Sequence, residues 1–203
     1  VYFDEDLLTT SAIGVIELEN GQATINYEMT DKTGTLTVSY DDIEITKEIK
    51  LFVQGSFTSL KKQIDENEES IFYLNQEYTY NSGFDEGLTR GIEITKSITI
   101  DGNGYTIDAK GLSNIFYLND DSNSQILILK NIIFANANGT NGAAVYFKGN
   151  KIEIINCTFE GCSAKEAGGA IKIDRPSAII ENCTFINNSA KYGGSIRIYS
   201  TSP

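Results

Sequence analysis

The chain has 203 residues, with 16 basic and 28 acidic side chains, no histidine and a net charge of −12. That balance excludes a nucleic-acid-binding role, which needs a basic footprint for phosphate, and the missing histidine removes the commonest general base and metal ligand. No run of 18 or more apolar residues occurs, so no membrane insertion is expected of this segment.

Residues 1–53 carry three basic and eleven acidic side chains, and residues 54–203 carry thirteen and seventeen. The shift in balance predicts a domain boundary near residue 53. Within 1–53, GVIELENGQATINYEM and GTLTVSYDDIEITKEIKLFV alternate apolar and polar residues, with turn signals at Asn20-Gly21 and over 31–34. Such alternation predicts an antiparallel sheet with one wet face, with Tyr27, Leu36, Val38 and Tyr40 as candidate core. Four or five strands are countable, against about seven in an immunoglobulin-like sandwich. The domain is therefore expected to be an immunoglobulin-like segment, either incomplete or completed from elsewhere.

Residues 54–203 read differently. In FTSLKKQIDENEES, Leu60 and Ile64 lie four apart among polar residues, with Thr58 or Ser59 as N-cap, which predicts a short amphipathic helix. IFYLN occurs at 71–75 and again at 115–119, each a plausible inward strand. SITIDGNGYTIDAKG then supplies Ile98, Ile100 and Ile107 as inward residues, with turns at Asp101-Gly102 and Asn103-Gly104.

A repeat follows. Asn131, Asn156 and Asn182 lie 25 and 26 residues apart, Phe134, Phe159 and Phe185 share those intervals, and Val145, Ile171 and Ile196 lie 26 and 25 apart. A steady period of this size marks a solenoid. Three short strands joined by turns fill about 25 residues, one coil of a parallel β-helix. Stacking at the inter-strand spacing puts equivalent residues on top of one another: a phenylalanine column, an aliphatic column and an asparagine ladder bonding between coils. Cys157 and Cys183 stack likewise, either as packed thiols or as a disulfide, while Cys162 has no cysteine counterpart and is expected to be free. The fold class expected is all-β, a parallel β-helix over 54–203 with the helix lidding its N-terminal end, because a bare end exposes a strand edge. No leader is legible at Val1 and no cap after GGSIRIYSTSP, so the chain reads as a piece of something longer, its C-terminal end covered by a further coil, a cap or a neighbour.

GGAI at 168–171, GGSI at 193–196 and FINN at 185–188 resemble the GGA(I/L/V) and FxxN repeats of chlamydial polymorphic membrane proteins. FEGC at Phe159 and FANA at Phe134 depart from that pattern. With SFTSLKKQID, SITIDGNGYTIDA and NGQATINYEMTDKTGTLTVSY, the whole layout is similar to the adhesin-like surface proteins of methanogenic archaea. That resemblance implies immunoglobulin-like modules joined to right-handed parallel β-helices, an extracellular cell-surface location, and no catalytic motif to transfer.

The function expected is a structural or adhesive surface module, non-enzymatic and without catalytic residues, metal or cofactor. Its partners would be other surface components, glycans or copies of itself. A sheath or filament subunit is one alternative. A polysaccharide lyase or glycosidase is another, which would need paired carboxylates or a Ca²⁺ cluster beside a basic residue. Its candidates are Asp174, Glu153 and Glu181 with Lys172, Arg175 or Arg197, which share no column; Asp120-Asp121 and Asp41-Asp42 are the candidate Ca²⁺ loops, although loop acids usually bind only water. Glycosylation sequons fall at Asn138, Asn156, Asn182 and Asn187. Asn138 is the preferred acceptor, and a glycan on Asn156 or Asn182 would conflict with a buried ladder.

Overall fold

A computed structural model describes residues 55–174 and 177–199, and the backbone of 2–3, 6–7, 33–40 and 43–50. The chain divides into two compact units, Val1–Gln54 and Gly55–Pro203. In the first, Asp6–Leu7, Tyr2–Phe3, Thr33–Tyr40 and Ile43–Lys50 form one antiparallel sheet in that order. The turn expected over 31–34 ends early, because Thr33 and Gly34 already pair with Lys50 and Ile49. The strands expected over 14–29, and Tyr27, lie outside the described residues.

The second unit is a parallel β-solenoid of five coils. Its first sheet stacks Ile92–Glu93, Phe116–Asn119, Val145–Lys148, Ile171–Asp174 and Ile196–Tyr199. The second stacks Ile71–Tyr73, Ile98–Asp101, Ile126–Lys130, Lys151–Ile155 and Ala178–Glu181. The third stacks Tyr78–Thr79, Thr106–Asp108, Ile133–Ala135, Thr158–Glu160 and Thr184–Ile186. A fourth sheet, absent from the three-strand coil expected, joins the last three coils through Asn138–Asn141, Ser163–Ala167 and Ser189–Tyr192. Its sequences, such as SAKEA, lack the β-branched and aromatic residues that signal a strand. The ladder to the neighbouring coils holds them in place despite a register shift.

From the second coil on, corners are turned in the left-handed backbone region. Asn131, Asn156 and Asn182 have φ of 54°, 54° and 52°, and Asn136 and Asn187 have 51° and 53° at the next corner. Asparagine tolerates this region better than other non-glycine residues. The corner before the first sheet is tighter. Gly168 and Gly193 have φ of 64° and 69°, and a Cβ on either would strike the carbonyl oxygen three residues on, of Ile171 and Ile196 respectively. The GGAI and GGSI phrases are the imprint of that corner.

The core is built in columns. Phe134 stacks on Phe159 at 4.8 Å between ring centroids, and Phe159 on Phe185 at 5.1 Å, with planes within 7°. Val145 pairs with Ile171 and Ile171 with Ile196. Ile100, Leu129, Ile154 and Ile180 form a further column. The two IFYLN phrases are not equivalent. The first falls in the second sheet with Ile71 39% exposed, the other in the first sheet with Ile115 fully buried.

Helix α1 (Phe57–Glu66) buries Phe57, Leu60 and Ile64 against Tyr78–Thr79 and Ile92–Glu93, the N-terminal strands of the third and first sheets. Its N-cap is Ser56, whose side chain accepts the Ser59 N–H, in place of the expected Thr58 or Ser59. The buried Asp85 carboxylate accepts the N–H groups of Phe57 at 3.1 Å and Thr58 at 2.8 Å, and the Thr58 hydroxyl at 2.7 Å. A carboxylate from 27 residues away thus satisfies the donors that a helix N-terminus leaves open.

Candidate functional site

The outward side of the first sheet carries the arrangement richest in chemistry. Its register puts Glu93, Tyr117, Tyr146, Lys172 and Arg197 in one row along the solenoid. Strand alternation turns these residues outward while Phe116, Leu118, Val145, Phe147, Ile171 and Ile173 fill the core. The Tyr117 and Tyr146 rings stack at 5.3 Å and 19°. The Arg90 guanidinium lies 4.8 Å from the Tyr117 ring, and the Lys172 ammonium 5.2 Å from Tyr146 and 5.3 Å from Tyr199. These are cation–π distances. The Arg197 guanidinium lies 4.6 Å from Tyr199.

Beside this row opens a groove of ≈ 280 Å³ lined by Arg90, Asn114, Tyr117, Thr140, Asn141, Tyr146 and Lys172. Thr140 and Asn141 come from the fourth sheet and Asn114 from the turn before the first. Gly139 makes the approach possible, since a Cβ there would collide with the Asn114 amide. Asn114 Nδ2 donates to the Gly142 carbonyl at 3.3 Å.

Asp174 is committed within this wall. It accepts the Tyr146 hydroxyl at 2.9 Å and Lys172 Nζ at 3.1 Å. Burial, and donation to that carboxylate, push the Tyr146 phenol well above its ordinary value, so it acts as a donor. Of the other candidate acids, Glu153 pairs with Lys151 at 2.6 Å and Glu181 is exposed. Both lie on the second sheet, and in different rows, since Glu153 is level with Ile179 and Glu181 with Ile155. Arg175 and Asp41-Asp42 lie outside the described residues. Asp120 is saturated by Ser122, Ser124 and Gln125, and Asp121 pairs with Lys148. Among the described residues no three His, Cys, Asp or Glu side chains are grouped to hold a metal ion, and no helix is long and apolar enough to cross a membrane.

The asparagine ladder stands on an exposed corner instead of inside the cylinder. Asn131 Nδ2 donates to Asp101 Oδ1 at 2.9 Å and Asn156 Nδ2 to Asn131 Oδ1 at 3.4 Å, while Asn156 and Asn182 are both exposed. Burial is thus no obstacle to a glycan on either, but Asn156 Nδ2 is engaged by Asn131. Asn138 is exposed too, but its Nδ2 is spent on the Gly111 carbonyl at 3.0 Å, and Asn187 stands at an exposed corner. Asn188, the last residue of FINN, bridges coils by donating to the Phe159 carbonyl at 3.0 Å and accepting the Cys162 N–H at 2.9 Å.

All three cysteines are free thiols. Cys157 and Cys183 reach the preceding coil in the same way, toward the carbonyls of Leu129 and Ile154. The interaction of the two thiols, then burial, pushes Cys157 up, and the same interaction draws Cys183 down to about 7 against its own burial; burial raises Cys162 to about 11.

The groove residues Arg90, Asn114, Tyr117, Thr140, Asn141 and Tyr146 were not legible in the sequence. Tyr117 and Tyr146 are 29 residues apart because the 120–125 loop lengthens that coil, which hides their equivalence from the 25–26 period. Comparison with protein-family models, with curated proteins and with solved structures finds no match.

Proposed function

We propose that this chain is a non-enzymatic scaffold and adhesion module at the cell surface, with glycans or other surface components as partners. The observation that supports this best is the outward wall of the first sheet. Stacked rings, amides and cations line its groove, and of the wall's carboxylates Asp174 is held by Tyr146 and Lys172 while Glu93 stands exposed at the first strand of the row. An acid engaged in this way is poorly placed to act as one of two opposed catalytic carboxylates, whereas the surrounding donors suit binding. A β-solenoid fits a surface role and a β-helix enzyme alike, so the preference rests on the wall and on the likeness of GGAI, GGSI and the layout to the adhesin-like surface proteins of methanogenic archaea. With that likeness comes an immunoglobulin-like character for residues 1–53, a right-handed coil, the sense taken by nearly all parallel crossovers, and an extracellular location.

The test is a glycan array and a whole-cell binding assay on the purified chain, run beside assays for cleavage of uronate and neutral polysaccharides. Binding without cleavage is expected. Turnover of any polymer would replace this reading with the lyase or glycosidase alternative. A sheath or filament subunit has one observation in its favour, the exposed apolar side chains Ile186 and Ile198 at the last described coil. Electron microscopy of the purified chain separates fibres from dispersed particles.

A further inference from the structure

We infer that the groove on the first sheet is a subsite for one acidic sugar residue of a polysaccharide, whose carboxylate or sulfate is received by Arg90. This deepens the adhesive reading above and rests on it.

The ring faces of the tyrosines are already taken. Arg90 covers Tyr117, Tyr117 covers Tyr146, and Lys172 covers Tyr146 from its own side. A ligand therefore meets hydrogen-bonding groups and ring edges, not an open aromatic platform. Those groups are an amide on Asn114, a hydroxyl on Thr140 and an amide on Asn141. Among the described residues the Thr140 and Asn141 side chains bond no other part of the chain. Amides and hydroxyls together donate and accept, which matches the vicinal hydroxyls of a sugar ring.

Charge decides which sugar. The Lys172 ammonium is matched by Asp174 at 3.1 Å. Arg90 is exposed and has no ion-pair partner among the described residues. Contact with the Tyr117 ring leaves its charge and its outer N–H fork in place. A guanidinium is a planar, always-charged donor whose geometry fits carboxylate and other oxyanions in pairs. A neutral sugar would leave that fork unused, and a bare anion would leave the amides unused. A polymeric phosphate is opposed by the chain's net charge of −12. At ≈ 280 Å³ the groove is just below the usual range of ligand pockets, about 300 to 1,000 Å³, so it holds a single ring of a polymer lying across the wall.

The experiment is calorimetric titration of the 203-residue chain with trigalacturonate, with neutral galactotriose, and with a glutamate-rich peptide. Three variants accompany it: Arg90→Gln, Asn141→Asp, which sets a negative charge in the groove lining, and Lys165→Gln. Lys165 is exposed on the fourth sheet, and its loss changes net charge as much as Arg90→Gln does, so it controls for long-range attraction. The expected result is that trigalacturonate binds at least about tenfold tighter than the neutral trisaccharide, a gap of about 1.4 kcal/mol. Arg90→Gln should erase that preference, Asn141→Asp should abolish binding of the acid, and Lys165→Gln should change neither, with all melting temperatures held. Equal affinity for the two sugars, an unaffected Arg90→Gln, or a glutamate-rich peptide binding as well as the uronate overturns the inference. Cell or glycan adhesion that survives in Arg90→Gln sinks this subsite and leaves the surface role standing; a wild-type chain that binds no cell and no glycan sinks both.

Discussion

Phe159 shows how one residue serves the repeat. It is fully buried, with Phe134 on one side at 4.8 Å and Phe185 on the other at 5.1 Å. Phe159→Ala removes two ring contacts and leaves a cavity in a wall that has little room to collapse. The expected loss is about 3–5 kcal/mol, and Phe185→Ala, whose ring is only partly buried, should lose less; urea melts of the two variants measure the order. Asn156 is another matter. It is exposed and sits at φ 54°, so its importance is conformational. Asn156→Ala forces a Cβ-bearing residue without a local hydrogen bond into the left-handed region and should cost about 1–2 kcal/mol. Asn156→Gly should be close to neutral. Equal losses from both would show that the side-chain bond to Asn131, not the backbone, carries the corner. The 25–26 residue period of Asn131, Asn156 and Asn182 was plain in the sequence, but it does not say which way they face: Asn suits an inward ladder and an outward left-handed corner equally well. The backbone angle decides, and period alone does not contain it.

At the scale of elements, two carboxylates hold segments that sequence pattern cannot explain. Helix α1 was legible from Leu60 and Ile64, but its anchoring by Asp85 was not, because the partners are 27 and 28 residues apart and share no motif. Asp85→Ala strands the buried N–H of Phe57 and leaves Thr58 and Asn81 without their acceptor. At about 1–3 kcal/mol for each buried donor left bare, the helix should detach before the coils melt. Amide exchange in 57–66 speeding up ahead of exchange in 126–130 is the expected signature. Asp120 does the same for the 120–125 loop, accepting N–H groups from Ser122 at 2.9 Å, Ser124 at 2.6 Å and Gln125 at 2.8 Å. The Ser122 hydroxyl, then the Gln125 and Ser124 donors, hold its carboxyl well below the ordinary 3.8. A lowered folded value means the charged form is favoured by folding. Its contribution is complete above 3.8 and is lost as pH falls below it toward the folded value. Exchange at Ser124 and Gln125 should therefore be protected at neutral pH and open selectively in acid, an effect that Asp120→Asn should remove. Uniform opening of all loops over the same pH range would contradict it.

At the scale of the whole molecule, the solenoid was legible because its columns repeat in sequence, and the groove was not, because its residues come from four non-equivalent places in the chain. The same column logic makes a statement about the end of the described stack. Ile198 pairs with Ile173 and continues its column, yet Ile173 is fully buried and Ile198 is 47% exposed. Ile180, Phe185 and Ile196 likewise continue columns whose earlier members, Ile154, Phe159 and Ile171, are fully buried. The difference is the burial that one more coil provides. Among the described residues no strand pairs with the far side of Ala178–Glu181, Thr184–Ile186 or Ile196–Tyr199, and an unpaired strand edge is the template on which another strand adds. At the opposite end the apolar side chains are covered by Phe57, Leu60 and Ile64 of α1. The 203-residue chain in isolation should therefore associate through its last coil as concentration rises, most strongly in salts that favour apolar burial. Light scattering after size exclusion should show the mass growing for the wild type and held at one chain for Ile198→Lys. Leu112→Lys, at an equally exposed apolar residue away from that end (52% exposed), should associate as the wild type does. Mass independent of concentration in the wild type, or suppression by both lysines alike, would remove the open coil as the cause and assign the stickiness, if any, to the general surface.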